Sequence, residues 1–158
     1  MDYINLIIAV AAIVSAGAAV GALRNSIKIQ EKTADENKKN NTIEAFNRLQ
    51  DQVLDKMVSF SEEQIDILIE DMDYEPEIKE AYDDCRALVA KCEHFAVGVN
   101  SGVYDIDLVN ALGGVHLIYL YRKVLPIIEQ ARGYENSKDA YKEFEKLVNS
   151  LSEMRGTI

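Results

Sequence analysis

Apolar residues fall along this chain in two distinct patterns. The first is continuous: Tyr3 to Leu23 carries no formal charge, and Asn5 and Ser15 are its main polar side chains. Twenty-one helical residues reach roughly 31 Å, the hydrocarbon thickness of a bilayer. The second pattern begins past residue 40, where apolar positions recur every three or four residues, the signature of helices with one buried face.

That periodicity predicts a series of helices. Asn41 with Glu44 reads as a capping box, followed by Ile43, Phe46, Leu49, Val53, Leu54 and Met57. The run Asn37–Lys38–Lys39–Asn40–Asn41 predicts a break before it. Ser61 with Gln64 reads as a second capping box, opening a helix with Ile65, Leu68, Ile69 and Met72. Tyr74–Glu75–Pro76 predicts a stop, because proline disfavours helix in the residue before it. The clearest stripe follows: Ile78, Tyr82, Cys85, Leu88, Val89, Cys92, Phe95, Ala96 and Val99, ending at Asn100–Ser101–Gly102. Asp105 caps a helix through Leu108, Val109, Leu112, Leu117, Ile118, Tyr121, Val124, Leu125 and Ile128. Gly113–Gly114 predicts a kink or a close packing point within it, and Arg132–Gly133 its end. Ser137 is expected to start a last helix carrying Tyr141, Phe144, Leu147, Val148 and Leu151.

The expected fold is all-α. One N-terminal transmembrane helix is followed by a cytoplasmic antiparallel bundle of four or five helices. The expected boundaries are residues 1–24 for the anchor, 25–41 for a stalk and 42–158 for an acidic helical domain. Scarce breakers, 8 glycines and 2 prolines in 158 residues, favour helices of this length.

Charge orients the anchor. Met1–Asp2 lacks the basic start of a cleaved signal peptide, whereas Arg24, Lys28, Lys32, Lys38 and Lys39 follow the run. The excess of basic residues on that side predicts a single-pass membrane protein, N-terminus outside and C-terminal domain cytoplasmic. Within the run, Gly17 and Gly21 form a GxxxG pair, and Ala11, Ser15 and Ala19 a second small-residue row. Such faces let helix backbones approach closely in lipid and predict a homo-oligomer.

The chain as a whole is acidic, with a net charge of −10. That balance argues against DNA or long RNA as a partner, since binding phosphates needs clustered Lys and Arg. Between Glu62 and Arg86 eleven acids stand against Lys79 and Arg86, a local charge of −9. The stretch reads as a solvated face, or as a docking surface for a basic protein partner.

Motifs for chemistry are sparse. Asp71, Asp73, Glu75 and Glu77 suggest a calcium loop, but Pro76 and Tyr82 occupy the positions where an EF-hand needs Gly and Glu. Cys85 and Cys92 lie seven apart on one helix face, about 10.5 Å between Cα atoms at the helical rise, too far for a disulfide. They fit a reducing compartment and, with His94, lack the pairing of a zinc site. No nucleophile elbow or phosphate-binding glycine loop occurs. No cofactor, no metal and no enzymatic activity is expected. One basic-aromatic group, Tyr121, Arg122, Lys123 and the later Arg132, is the candidate ligand site, with Arg to grip an anion and Tyr to stack.

The segment Cys92–Glu93–His94–Phe95–Ala96–Val97–Gly98–Val99, the following Gly102–Val103 and Asp105, Tyr121–Arg122, and Tyr141–Lys142–Glu143–Phe144–Glu145–Lys146–Leu147 together form a pattern. With an N-terminal span followed by Arg24 and Gln30, it resembles an uncharacterised family of small bacterial and phage membrane-anchored helical proteins, catalogued only as a domain of unknown function. The resemblance covers most of the chain. It implies a bacterial or phage setting and phage–host conflict, and it transfers no site residue. Two functions are therefore expected as alternatives. One is a non-enzymatic module that self-associates in the bilayer and docks a cytoplasmic protein. The other is a ligand-gated membrane effector of anti-phage defence, sensing a small anion such as a cyclic oligonucleotide and perturbing the membrane through clustered spans.

Overall fold

The computed structural model describes the backbone of residues 3–58, 60–71, 75–134 and 137–156, and side-chain surroundings from Leu23 onward outside Val58 and Asp71. Every regular element among the described residues is helical. They are α1 (Tyr3–Leu49), a π-helical segment (Gln50–Leu54), α2 (Asp55–Val58), α3 (Glu62–Asp71), α4 (Pro76–Asn100), α5 (Ile106–Arg132) and α6 (Lys142–Arg155). The chain divides into two compact units, residues 1–37 and 38–158.

The described residues of the first unit, 3–37, lie within α1. The side chains of the Tyr3–Leu23 run, including Gly17 and Gly21, are outside the described residues up to Ala22. From Leu23 on, Leu23, Ile27 and Ile29 are exposed.

The second unit holds one contiguous core. In it α6 packs on both α4 and α5, and α3 does the same. The expected break at Asn37–Asn41 is absent, because α1 runs through it. Thr42 explains why. Its buried hydroxyl donates to the Lys38 carbonyl at 2.7 Å and accepts from the Asp105 amide at 2.9 Å, tying this turn to the start of α5. Tertiary contact of this kind overrides weak local propensity. Asn41 therefore caps nothing, and Glu44 pairs with Arg48 instead. Beyond Leu49 the helix widens into the π segment. Its larger turn accommodates an extra residue, so that Val53 and Leu54 both face the core with Phe46, Leu49 and Met57.

The other caps fall close to expectation. Ser61 Oγ accepts from the Gln64 amide at 3.1 Å, and the Gln64 side chain accepts from the Ser61 amide at 2.7 Å. Asp105 Oδ1 accepts from the Leu108 amide at 3.1 Å. Pro76 sits in the first turn of α4, where its missing N–H costs nothing. Gly102 closes the end of α4 in the left-handed conformation, φ +80°, which glycine adopts without strain. The backbone leaves helical geometry at Gly113, where a Cβ would lie 2.3 Å from the buried Phe46 ring. Glycine there lets α1 and α5 meet.

Among the residues whose side chains are described, α5 is the helix long and apolar enough to cross a membrane, and half of its most apolar stretch is buried inside the structure. Val109, Leu117, Val124, Ile127 and Ile128 are fully enclosed, so α5 is the central element of the second unit.

The last helix begins at Lys142 rather than Ser137. Residues 138–141 form turns, and Tyr141 takes a left-handed conformation, φ +58°. Side chains with a Cβ rarely adopt this state and need their surroundings to hold them there. The holding group is Glu93, fifty residues away on α4. Its carboxylate accepts from the Glu143 amide at 3.1 Å and the Phe144 amide at 2.7 Å. A carboxylate on the free amides of a helix N-terminus satisfies both hydrogen bonding and the helix dipole. Asn100 completes the clamp, donating to the Glu143 carbonyl at 2.9 Å and its carboxylate at 2.7 Å.

Candidate functional site

The four residues singled out by sequence do not converge. Tyr121, Arg122 and Lys123 are consecutive on α5, so their side chains leave the helix about 100° apart. Tyr121 is buried, its ring edge-on to Phe144 with centroids 5.3 Å apart. Burial and then the Glu145 carboxylate push its hydroxyl above the usual tyrosine range. Arg132 reaches the same place. Its Nε donates to the Ala140 carbonyl at 2.9 Å, and its Nη2 donates to Glu145 at 2.7 Å. It also contacts the Tyr121 hydroxyl. These two residues lock α5, α6 and the turn between them, and Arg132 Nε and Nη2 are already engaged.

Lys123 points elsewhere. It is buried, and Nζ donates to the Met57 carbonyl at 2.8 Å. Its ammonium thus satisfies a carbonyl at the end of α2, where the helix dipole favours positive charge. Lys123 also borders an apolar cleft of about 370 Å³ with Leu54, Met57, Val115, His116, Tyr119 and Leu120. Arg122 is exposed, separate from both arrangements.

A larger concavity, about 550 Å³, lies between the end of α1, the π segment and α4. Leu49, Val53, Ala90 and Val97 are among its apolar lining residues, and Arg48, Lys91 and His94 supply its basic side chains. Gln52, Ser101 and Tyr104 add polar groups, and none of the lining residues is acidic. Tyr104 stacks on Phe95 with ring centroids 5.5 Å apart. It can do so because Gly98 has no side chain: a Cβ there would meet the Tyr104 ring at 2.3 Å. In a chain of net charge −10 this is an unusual local composition. Its signal was present in the sequence, in Lys91 and His94 at adjacent positions of one helix face. Only the packing of α1 on α4 brings Arg48 to them.

Other candidate chemistry is quiet. Cys85 and Cys92 are buried free thiols. Burial raises both, Cys92 to about 12, so neither is a nucleophile near neutrality. His94 and His116 line different clefts, and no group of three metal-ligating side chains occurs among the described residues. Pro76 of the acidic segment is helical, while residues 72–74 lie outside the described residues. Tyr82 and Arg86, one turn apart on α4, form a pair that the apolar stripe alone does not signal. The guanidinium sits 5.8 Å from the tyrosine ring centre and bonds the Tyr141 side chain, while the Tyr82 hydroxyl and Arg86 Nε are buried with no hydrogen-bond partner among the described residues.

These features define a small all-helical protein whose described residues present clefts and charged faces. Over residues 4–151 the sequence matches the family described as Domain of unknown function (DUF4760), and the chain belongs to that family. No curated protein and no solved structure matches it.

Proposed function

We propose that this protein is a single-span, membrane-anchored, non-enzymatic module that self-associates in the bilayer and presents an antiparallel helical bundle to a cytoplasmic protein partner. The observation that carries the reading is the uncharged Tyr3–Leu23 run, which falls entirely within helix α1. A helix satisfies its own backbone hydrogen bonds, the condition for crossing lipid. The basic residues from Arg24 to Lys39 favour a cytoplasmic bundle, and the family resemblance favours a bacterial inner membrane. Gly17 and Gly21 supply the contact face between copies.

The docking surface is the acidic one. Glu62, Glu63, Asp66 and Glu70 on α3, and Glu75, Glu77, Glu80, Asp83 and Asp84 at or near the start of α4, are all exposed. The pairing of Asp83 with Arg86, at 3.9 Å, is loose. Such a field attracts a basic protein segment and accelerates its encounter.

The test uses the full chain in membranes. Alkaline extraction should leave it in the pellet, and Gly17→Leu with Gly21→Leu should reduce cross-linked oligomer without releasing it. Release of the unaltered chain into the supernatant would refute the anchor. Unchanged cross-linking in the double variant would refute the glycine face. For docking, the partner cross-linked to the wild-type chain should be lost on reversing Glu62, Glu63, Asp66 and Glu70 to lysine. Its undiminished capture would refute the acidic face.

The ligand-gated alternative has one observation in its favour, the basic-lined cleft of α1 and α4. Of its four sequence-candidate residues, Tyr121, Lys123 and Arg132 are engaged in contacts within the fold, and Arg122 is exposed.

A further inference from the structure

We infer that the cleft between the end of α1, the π segment and α4 is a binding site for a small amphiphilic carboxylate, with an apolar body against the Leu49–Val53 wall and the carboxylate held by Lys91 and His94. The inference stands independently of the membrane reading, since every residue it uses belongs to the second unit.

Three observations carry it. The first is size: about 550 Å³ falls within the range typical of small-molecule pockets. The second is the distribution of charge. The chain has an excess of ten acids, yet no acid lines this cleft, and three basic side chains do. Glu93, the α4 acid between Lys91 and His94 in sequence, is turned away and spent on the α6 amides. Lys91 and His94 have no ion pair among the described residues, whereas Arg48 is paired with Glu44. Two basic side chains are therefore left for a ligand.

The third is the wall itself. The π-helical turn Gln50–Leu54 is an irregular element that recurs at functional sites. It contributes Gln52 and Val53 to the lining. The stacked Phe95–Tyr104 pair adds aromatic surface to the lining.

The charge of the ligand follows from the neighbourhood. Glu44 lies next to Arg48 and borders the adjoining concavity with Asn41 and Tyr104. A dianion would be repelled by Glu44 and by the net charge of the chain. A monoanion meets about half that repulsion and still satisfies Lys91 and His94. The apolar lining then asks for a hydrocarbon or aromatic body, which the hydrophobic effect drives from water.

The two histidines provide an internal control. His94 lines this cleft and His116 the other. The full chain is titrated with 4-phenylbutyrate, and with its neutral amide, while the histidine ring resonances are followed by proton NMR. The proposal predicts a saturable shift of His94 alone, with the amide and the Lys91→Glu variant each binding at least tenfold more weakly. Lys91 is exposed, so its replacement leaves the fold intact. Ala90→Phe, which fills the cleft without changing charge, should also abolish the shift. Parallel movement of both histidines, an amide that binds as tightly as the acid, or binding unchanged in both variants would overturn the site.

Discussion

The basic-aromatic set on α5 and the basic-lined cleft on α1 and α4 use similar residues to opposite ends. On α5, Tyr121, Lys123 and Arg132 each point into the fold and meet Phe144, the Met57 carbonyl, and Glu145 with the Ala140 carbonyl. On α4, Lys91 and His94 are exposed, line a largely apolar cleft and meet no acid among the described residues. Density of charge in a sequence is thus a poor guide to availability. Consecutive helical residues diverge, whereas residues three apart share a face, and the second arrangement can serve a ligand.

Substitutions should separate the two regions, beginning with the largest effect. Arg132→Met removes a charge-assisted pair and leaves Glu145 and the Ala140 carbonyl without their donor. A loss of about 2 kcal/mol in urea unfolding is expected, reduced from the fully buried case by partial exposure. A loss below a few tenths would show that this cluster does not hold α6. Glu93→Ala should cost about 1 kcal/mol by uncapping α6, with amide exchange increased at Glu143 and Phe144. Arg122→Glu and Lys91→Glu, both at exposed positions, should each stay within about 0.5 kcal/mol of wild type. They differ in ligand response, which only Lys91→Glu should alter.

A pH series sharpens the contrast between buried and open groups. The folded state holds the Cys92 thiol at about 12, above its ordinary 9.0. The unfolded chain therefore loses that proton first, and the stability linked to it is full below pH 9 and declines as pH rises from 9 toward 12. Urea midpoints measured across that interval should fall, and replacing Cys92 with Ala should flatten the slope.

Much of this fold was legible in the sequence. The Tyr82-to-Val99 stripe, the Ser61–Gln64 box, the Asp105 cap and the Gly102 stop are local patterns, and local patterns can be read along a chain. What escaped reading depends on distant residues. Asn41 looks like a cap until Thr42 is tied to Asp105. Ser137 looks like a helix start because the group that caps α6 is Glu93, fifty residues earlier. The π segment has no clear residue signature. The candidate ligand set Tyr121, Arg122, Lys123 and Arg132 was drawn from proximity in sequence, and helical geometry disperses it. Lys91 and His94 carried the usable spacing, but Arg48 joins them only through packing.

The anchor is tested most directly by labelling intact cells with a membrane-impermeant maleimide. Cys85 and Cys92 are buried and poorly ionised, so the native chain should give little background. With Asp2→Cys, the intact cells should label; with Asn149→Cys, on the exposed side of α6, labelling should appear only after lysis. Labelling of Asn149→Cys in intact cells, or protection of Asp2→Cys until lysis, would contradict a single span with its bundle in the cytoplasm.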